Sequence, residues 1–276
     1  MREFWTFRHA AWLGWQTESN WTDPLLFATY SVIRPITTTL MVVLMYWFVG
    51  SRETSLFELM FLGNTLYMYI FNVPFGISYV IMEDREHYKV LKYLYISPAN
   101  IYVYLIGRGV SKFIITTVAV AITLAFGVLF LGVHITLETI DPPFLVASFF
   151  LGLIGLIAFG TIMAGISLLV ARHNFYIAES LAGIFYLFCG VVFPLSVLPW
   201  WGEALGRIIP ITYWLESTRR SLLGFGDPTL AQLTDMEVLG ILALSTLLLL
   251  ALSVVLFRAY NHVARARGVI DMTTWY

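Results

Sequence analysis

The stretch PFLVASFFLGLIGLIAFGTIMAGISLLV, from Pro143 to Val170, runs for 28 residues without one charged side chain. As a helix it is about 42 Å long at 1.5 Å per residue, and a hydrocarbon core of about 30 Å needs only about 20 apolar residues. This segment reads as a membrane span. Moving outward from it, five more runs of comparable length and apolarity occur, and the six lie near 25–49, 57–82, 110–133, 143–170, 176–194 and 237–257. Composition agrees: of 276 residues, 59% are hydrophobic and 12% charged, whereas soluble domains are roughly a quarter charged. Such a chain lacks the charged exterior that a soluble enzyme or a DNA-binding protein needs, and its net charge of −1 offers nucleic acid no basic field. With one cysteine, Cys189, neither an internal disulfide nor a thiolate metal site is available. The expected fold is an all-α integral membrane protein with six transmembrane helices, read as a single unit over 1–276.

Lys and Arg positions orient the spans. With the N-terminus inside, cytoplasmic segments hold Arg2, Arg8, Arg85, Lys89, Lys92, Arg108, Lys112, Arg172, Arg258, Arg265 and Arg267, against Arg52, Arg207, Arg219 and Arg220 outside. Eleven against four places both termini in the cytoplasm of a multi-pass protein. Residues 1–22 precede the first span and read as an interfacial helix, because Phe4, Trp5, Phe7, Ala11, Trp12 and Trp15 share one arc while Arg2, His9 and Gln16 fall outside it. Asp141-Pro142-Pro143 starts the fourth span, with Asp141 as N-cap. The stretch 195–236 is partly apolar but broken by Pro199, Pro210 and Pro228. It reads either as an outside segment that dips back into the membrane or as an interfacial hairpin.

Catalytic signatures are missing from the sequence. Its five histidines fall at span ends or in loops, and no phosphate-cradling glycine-lysine loop precedes Lys89, Lys92 or Lys112. Gly224-Phe225-Gly226-Asp227 resembles the signature of intramembrane aspartyl proteases, but Pro228 follows it and no second aspartate sits inside a span, so it reads as a turn. Arg34, Asn64, Asn72, Pro74 and Glu179 are costly within spans. Arg34 and Glu179 lie at similar depth, where they either pair or are solvated separately. Asn72 either satisfies backbone freed by Pro74 or faces a substrate.

The densest polar stretch joins spans two and three: Glu83-Asp84-Arg85-Glu86-His87-Tyr88-Lys89-Val90-Leu91-Lys92-Tyr93-Leu94-Tyr95, ending at Ile96-Ser97-Pro98. Glu83 with His87 and Glu86 with Lys89 favour a short helix across 83–97, with Val90, Leu91 and Leu94 on one stripe. Ser97 and Pro98 read as the N-cap and first residue of the next helix.

The Glu83–Glu86 and Tyr95–Pro98 blocks, followed by Gly190–Trp201 and Ile209–Glu216, resemble the ABC-2 type exporter permeases across the whole topology. His87-Tyr88 departs from the glycine that many members carry there. The resemblance implies a homodimer, or a dimer with a similar permease, bound to ABC ATP-binding subunits that hold ATP and Mg. It implies export of a drug, lipid, lipid-linked glycan or similar amphiphile across the cell membrane of a prokaryote, inner or plasma. The chain itself would not be an enzyme. Residues 83–97 would be the coupling helix, using Glu83, Arg85, Glu86, Val90, Leu91, Leu94, Ser97 and Pro98. A pathway would be lined from spans one, two and five by Tyr46, Tyr67, Phe71, Asn72, Phe75, Phe185 and Phe188, among other aromatics. Phe193, Pro194, Pro199, Trp200, Pro210, Tyr213 and Glu216 would form re-entrant helices at the outer gate. The competing class is an ATP-independent secondary transporter or channel, which would usually carry mid-depth carboxylates or an internal repeat, and neither is evident.

Overall fold

The computed structural model describes residues 2–19, 23–49, 54–135, 140–170 and 174–271. These form ten α-helices: α1 (Arg2–Ser19), α2 (Pro24–Val49), α3 (Thr54–Met82), α4 (Leu91–Ile96), α5 (Ile101–Phe130), α6 (Pro142–Leu169), α7 (Asn174–Phe188), α8 (Trp200–Ile208), α9 (Pro210–Leu223) and α10 (Asp235–Arg267). No strand occurs among the described residues. Four helical segments, Ser55–His87, Ile101–Phe130, Pro142–Leu169 and Asp235–Arg267, are long and apolar enough to cross a membrane; Pro35–Tyr46 and Tyr176–Phe188 are shorter apolar helices.

At the centre, α3 and α6 pack together, with α5, α9 and α10 against them. The glycines of α6 make this possible by letting bulky neighbours approach its backbone. Trp214 of α9 lies against Gly152, Thr246 of α10 against Gly155, Pro74 and Ile77 of α3 against Gly160, and Tyr260 of α10 against Gly165. A methyl group at Gly152 would collide with the Trp214 indole. Around Trp214 an aromatic cluster ties four helices together, with Tyr69 at 6.0 Å and Phe149 at 6.4 Å between ring centres, and Phe113 at 5.6 Å from Tyr69.

Helix ends follow local chemistry. Asp141 caps α6, its Oδ1 accepting from Phe144 N at 3.2 Å, with Pro142 at the first helical position. Thr234 and Glu237 form a reciprocal capping box at the start of α10. Gly224 ends α9 with φ of +78°, and Asp227 then caps the short turn Pro228–Leu230, so the Gly224–Asp227 string is turn structure.

α1 docks along α5, but through a different face from the aromatic arc of the sequence. Ala10 and Gly14 are buried against Gly107 and Ser111, whereas Phe4, Trp5, Trp12 and Trp15 remain exposed. The smallest side chains allow the helices to approach, and the large ones are left for the surroundings.

Candidate functional site

At the end of the bundle that carries α4, the chain leaves α3 through one π-helical turn, Glu83–His87. Tyr88 N donates to Glu83 O at 2.9 Å and Val90 N to Asp84 O at 2.8 Å. Lys89 turns the chain with φ of +55°. The widened turn directs Asp84 and Arg85 inward, where both are buried. Arg108 of α5, 1% exposed, meets them. Its Nη2 donates to Glu83 Oε2 at 3.0 Å, its Nη1 to the Tyr104 hydroxyl at 3.3 Å, and Asp84 Oδ1 lies 3.7 Å away. The Tyr104 hydroxyl donates to Asp84 Oδ2 at 2.8 Å. Arg85 reaches the last turn of α6, donating to Ser167 O at 3.3 Å and Leu168 O at 3.5 Å, and pairs with Glu86 at 3.3 Å. Lys112 of α5 pairs with Glu18 of α1. Four elements are thus joined by charged side chains, which is affordable away from water only because each charge has a partner.

Several local expectations change here. The segment is two pieces rather than one helix, and neither expected pair forms: Glu83 pairs with Arg108 instead of His87, and Glu86 with Arg85 instead of Lys89. The π turn changes the spacing on which an i,i+4 pairing depends. Ser97 is the C-cap of α4, not the N-cap of α5; its hydroxyl donates to Leu94 O at 2.9 Å. Asn100 caps α5 instead, its side chain accepting from Tyr102 N at 3.0 Å, so Pro98 lies before the helix. α5 begins nine residues earlier than position 110 because Arg108 and Lys112 have partners within the bundle. The expected stripe also divides. Leu91 is 1% exposed in the core, Val90 and Leu94 are half-buried, and the open face of α4 carries Lys92, Tyr93 and Ile96, the last 81% exposed. Tyr95 anchors α4 to α10: its hydroxyl donates to Asn261 Oδ1 at 2.7 Å and Arg265 lies 4.9 Å from its ring centre. Burial pushes the Tyr95 phenol up to about 12.

Of the aromatic residues expected along a pathway, the structure brings part together. Tyr67, Phe71 and Phe75 form a ladder along α3, with ring centres 6.4 and 5.6 Å apart. Tyr186 of α7 packs on Tyr67 at 4.7 Å, and Tyr67 donates to Ala182 O at 2.9 Å. Asn64 joins this face, bonded weakly to Tyr186 and to Thr39 of α2, both at 3.4 Å. Tyr46 lies apart against Phe57, Phe185 against Phe159, and Phe188 against Trp201. Asn72 is exposed and makes no hydrogen bond among the described residues, so it does not satisfy backbone freed by Pro74. The Arg34 side chain lies outside the described residues, and with it the pairing to Glu179.

The opposite end is built from Gly190 to Asp235. Pro194 and Pro199 precede the short turn Leu195–Val197 and α8, and Pro210 opens α9. Phe193 is half-buried, whereas Trp200 is exposed. Tyr213 donates to Arg207 O at 2.7 Å, tying α9 back to α8. α9 is buried from Ile211 to Arg219, and its course along α6 runs from Trp214 beside Gly152 to Ser221, whose carbonyl accepts from Asp141 N at 3.1 Å. Glu216 accepts from Arg220 Nε at 2.6 Å and from Asp227 N at 2.8 Å. Asp227 in turn accepts from Leu195 N at 2.8 Å. Arg219 Nη2 donates to three carbonyls, Leu59 at 2.9 Å, Gly190 at 2.8 Å and Val191 at 3.0 Å. The charge count places Arg219 and Arg220 in an outside loop and Arg108 in a cytoplasmic segment, and it gives none of their buried contacts, nor the part of Tyr104. The available signals were the i+4 spacings Tyr104–Arg108 and Glu216–Arg220.

The model for the family described as ABC-2 type transporter matches residues 9–223, which takes in α2 to α9 and most of α1. No curated protein matches the chain.

Proposed function

The chain belongs to the ABC-2 type transporter family, and we propose that it is the permease subunit of an ATP-driven exporter that moves an amphiphile out of the cytoplasm. α2, α3, α5, α6, α7 and α10 are the six spans, both termini are cytoplasmic, and α8 with α9 forms the re-entrant outer segment. Two permease copies enclose the pathway, with the Tyr67–Phe71–Phe75 ladder facing the cargo. ATP and Mg belong to a separate ATP-binding subunit.

The observation that carries this reading is α4. Its inner face is fixed by Leu91 and Tyr95, the adjoining π turn is held by Arg85 and Arg108, and its outer face offers Lys92, Tyr93 and Ile96, which are exposed among the described residues. A short helix anchored to α10 and, through the π turn, to α3, α5 and α6 transmits a push instead of absorbing it, which is what a contact for an ATPase requires. Leu91→Asp would disrupt the core and is a poor test. Ile96→Asp places a charge on the open face alone. The test is affinity purification of the tagged chain from its own cells, followed by ATP hydrolysis of the eluate. A P-loop subunit should accompany the wild type and be reduced about tenfold by Ile96→Asp, which is about 1.4 kcal/mol of binding. ATP hydrolysis by the chain freed of all other polypeptides would sink the proposal.

A further inference from the structure

The docking of α1 on α5 leaves a groove whose two ends differ in chemistry. The contact itself is tight: a methyl group at Gly107 would lie 2.7 Å from both Ala10 Cβ and Phe7 O, and Ser111 Oγ donates to Ala11 O at 2.8 Å. Beside this seam is an open groove of about 630 Å³ bordered by both helices. Trp12 and Trp15 of α1 and Val110 and Ile114 of α5 make its apolar part. One to two turns earlier on α1, Arg8 and His9 line it as well. The Arg8 guanidinium lies 5.4 Å from the Trp5 ring centre, and no carboxylate pairs with it among the described residues. His9 is held in place by its Nδ1 hydrogen, donated to Trp5 O at 2.7 Å.

We propose that this groove is a binding site for an anionic phospholipid, with the headgroup phosphate on Arg8 and an acyl chain along Trp12, Val110 and Ile114. The buried arginines of the helix bundle already have partners: Arg85 is committed to a carboxylate and carbonyls, Arg108 to carboxylates and a hydroxyl, and Arg219 to backbone. Arg8 instead keeps its fork of donors open beside an apolar channel, and a planar fork suits a phosphate diester. Tryptophan at the rim fits the interfacial depth at which a headgroup meets its chains. The proposal rests on the interfacial placement of α1 and is independent of cargo and of ATP.

Native mass spectrometry of the detergent-purified full chain tests it, with phosphatidylglycerol, phosphatidylcholine and soluble glycerol 3-phosphate as probes. Wild type should retain phosphatidylglycerol about tenfold over phosphatidylcholine, because the choline cation already neutralises its phosphate and repels Arg8. Arg8→Gln should bring the two lipids to parity, while Arg258→Gln, on the exposed surface of α10, should leave the preference intact. Equal retention by wild type, or an undiminished preference in Arg8→Gln, overturns the proposal. Displacement of the lipid by glycerol 3-phosphate overturns it too, by assigning the site to a free phosphate. Placement is read separately: in vesicles containing brominated phosphatidylcholine, quenching should be greater for wild type than for Trp12→Phe. Equal quenching would remove the interfacial placement itself.

Discussion

Arg108 and Arg219, at the two ends of this bundle, pose the same problem, a guanidinium group buried among long apolar helices, and it is solved in opposite ways. At the α4 end, Arg108 is met by side chains: Glu83, Asp84 and Tyr104. At the α8 end, Arg219 is met by backbone, one nitrogen serving the carbonyls of Leu59, Gly190 and Val191, with no carboxylate within ion-pair distance among the described residues. Side chains can exchange partners by changing rotamer, whereas carbonyls move only with their helices. The Arg219 contact is therefore a fixed joint between α3, α9 and the turn after α7, and the Arg108 contact is a joint that tolerates adjustment. This contrast matches the proposed roles, in which one end receives motion and the other closes a pathway.

The largest expected effect comes from breaking the fixed joint. Arg219→Ala takes the donor from the Gly190 and Val191 carbonyls and opens a void, and each buried acceptor left unsatisfied costs about 1–3 kcal/mol. Gly63→Ala should approach the same outcome from the other side, because its methyl group would collide with Arg219 Nη2 and Val191 O. The expected result for both is a collapse in the monodisperse fraction on size-exclusion chromatography in detergent. Wild-type behaviour of Arg219→Ala would show that its three carbonyls find other donors, and the contrast between the ends would be lost.

Next in size is Arg108→Met, which strands Asp84 without its cation and should cost about 3 kcal/mol. Here, unlike at Arg219, a second change can recover stability: adding Asp84→Asn removes the stranded charge. A double-mutant cycle on thermal unfolding should give a coupling above about 1 kcal/mol for Asp84 with Arg108. The corresponding cycle for Glu216 with Arg219 should give a smaller value, since Arg219 is bonded to backbone. Equal couplings at the two ends would dissolve the distinction.

Much of this architecture was legible in the sequence because spans declare themselves by unbroken apolarity, as Pro143–Val170 does, and helix starts by their caps, as Asp141 does. What escaped notice shares one cause. In a sequence, charge reads as a sign of water, which places Arg108 outside the third span and Arg219 in a loop, although both are buried by partners distant in sequence. Leu91 and Ile96 show a related limit. Both are apolar residues of one short helix, and periodicity over six residues cannot say which face meets the core. The π turn at Glu83–His87 adds an extra residue that no period of 3.6 anticipates.

That pair sharpens the comparison at the α4 end. Leu91→Asp should lower thermal stability by about 3 kcal/mol, as expected for a charge placed in a packed core. Ile96→Asp should change stability by less than about 0.5 kcal/mol and act only on association with a partner. Intrinsic fluorescence melts in detergent separate the two. A large destabilisation by Ile96→Asp would mean that the open face of α4 is covered within the chain, and the proposed contact would have to lie elsewhere.

The smallest effect belongs to Lys89, the residue that turns the chain between the π turn and α4. Its φ of +55° is the left-handed conformation, the only such angle outside glycine among the described residues. That conformation costs an L-residue about 1–2 kcal/mol, while glycine adopts it freely but gives up about 0.5–1 kcal/mol of unfolded-state entropy. Lys89→Gly should therefore be neutral to slightly stabilising, by up to about 1 kcal/mol. Lys89→Val carries the strain of a β-branched side chain and should destabilise by a similar amount. Because the turn sets how α4 leaves α3, the two variants also report on the adjustable joint. If Val and Gly at position 89 melt at the same temperature, the turn is strained at neither residue, and the angle of α4 is held by Leu91 and Tyr95 alone.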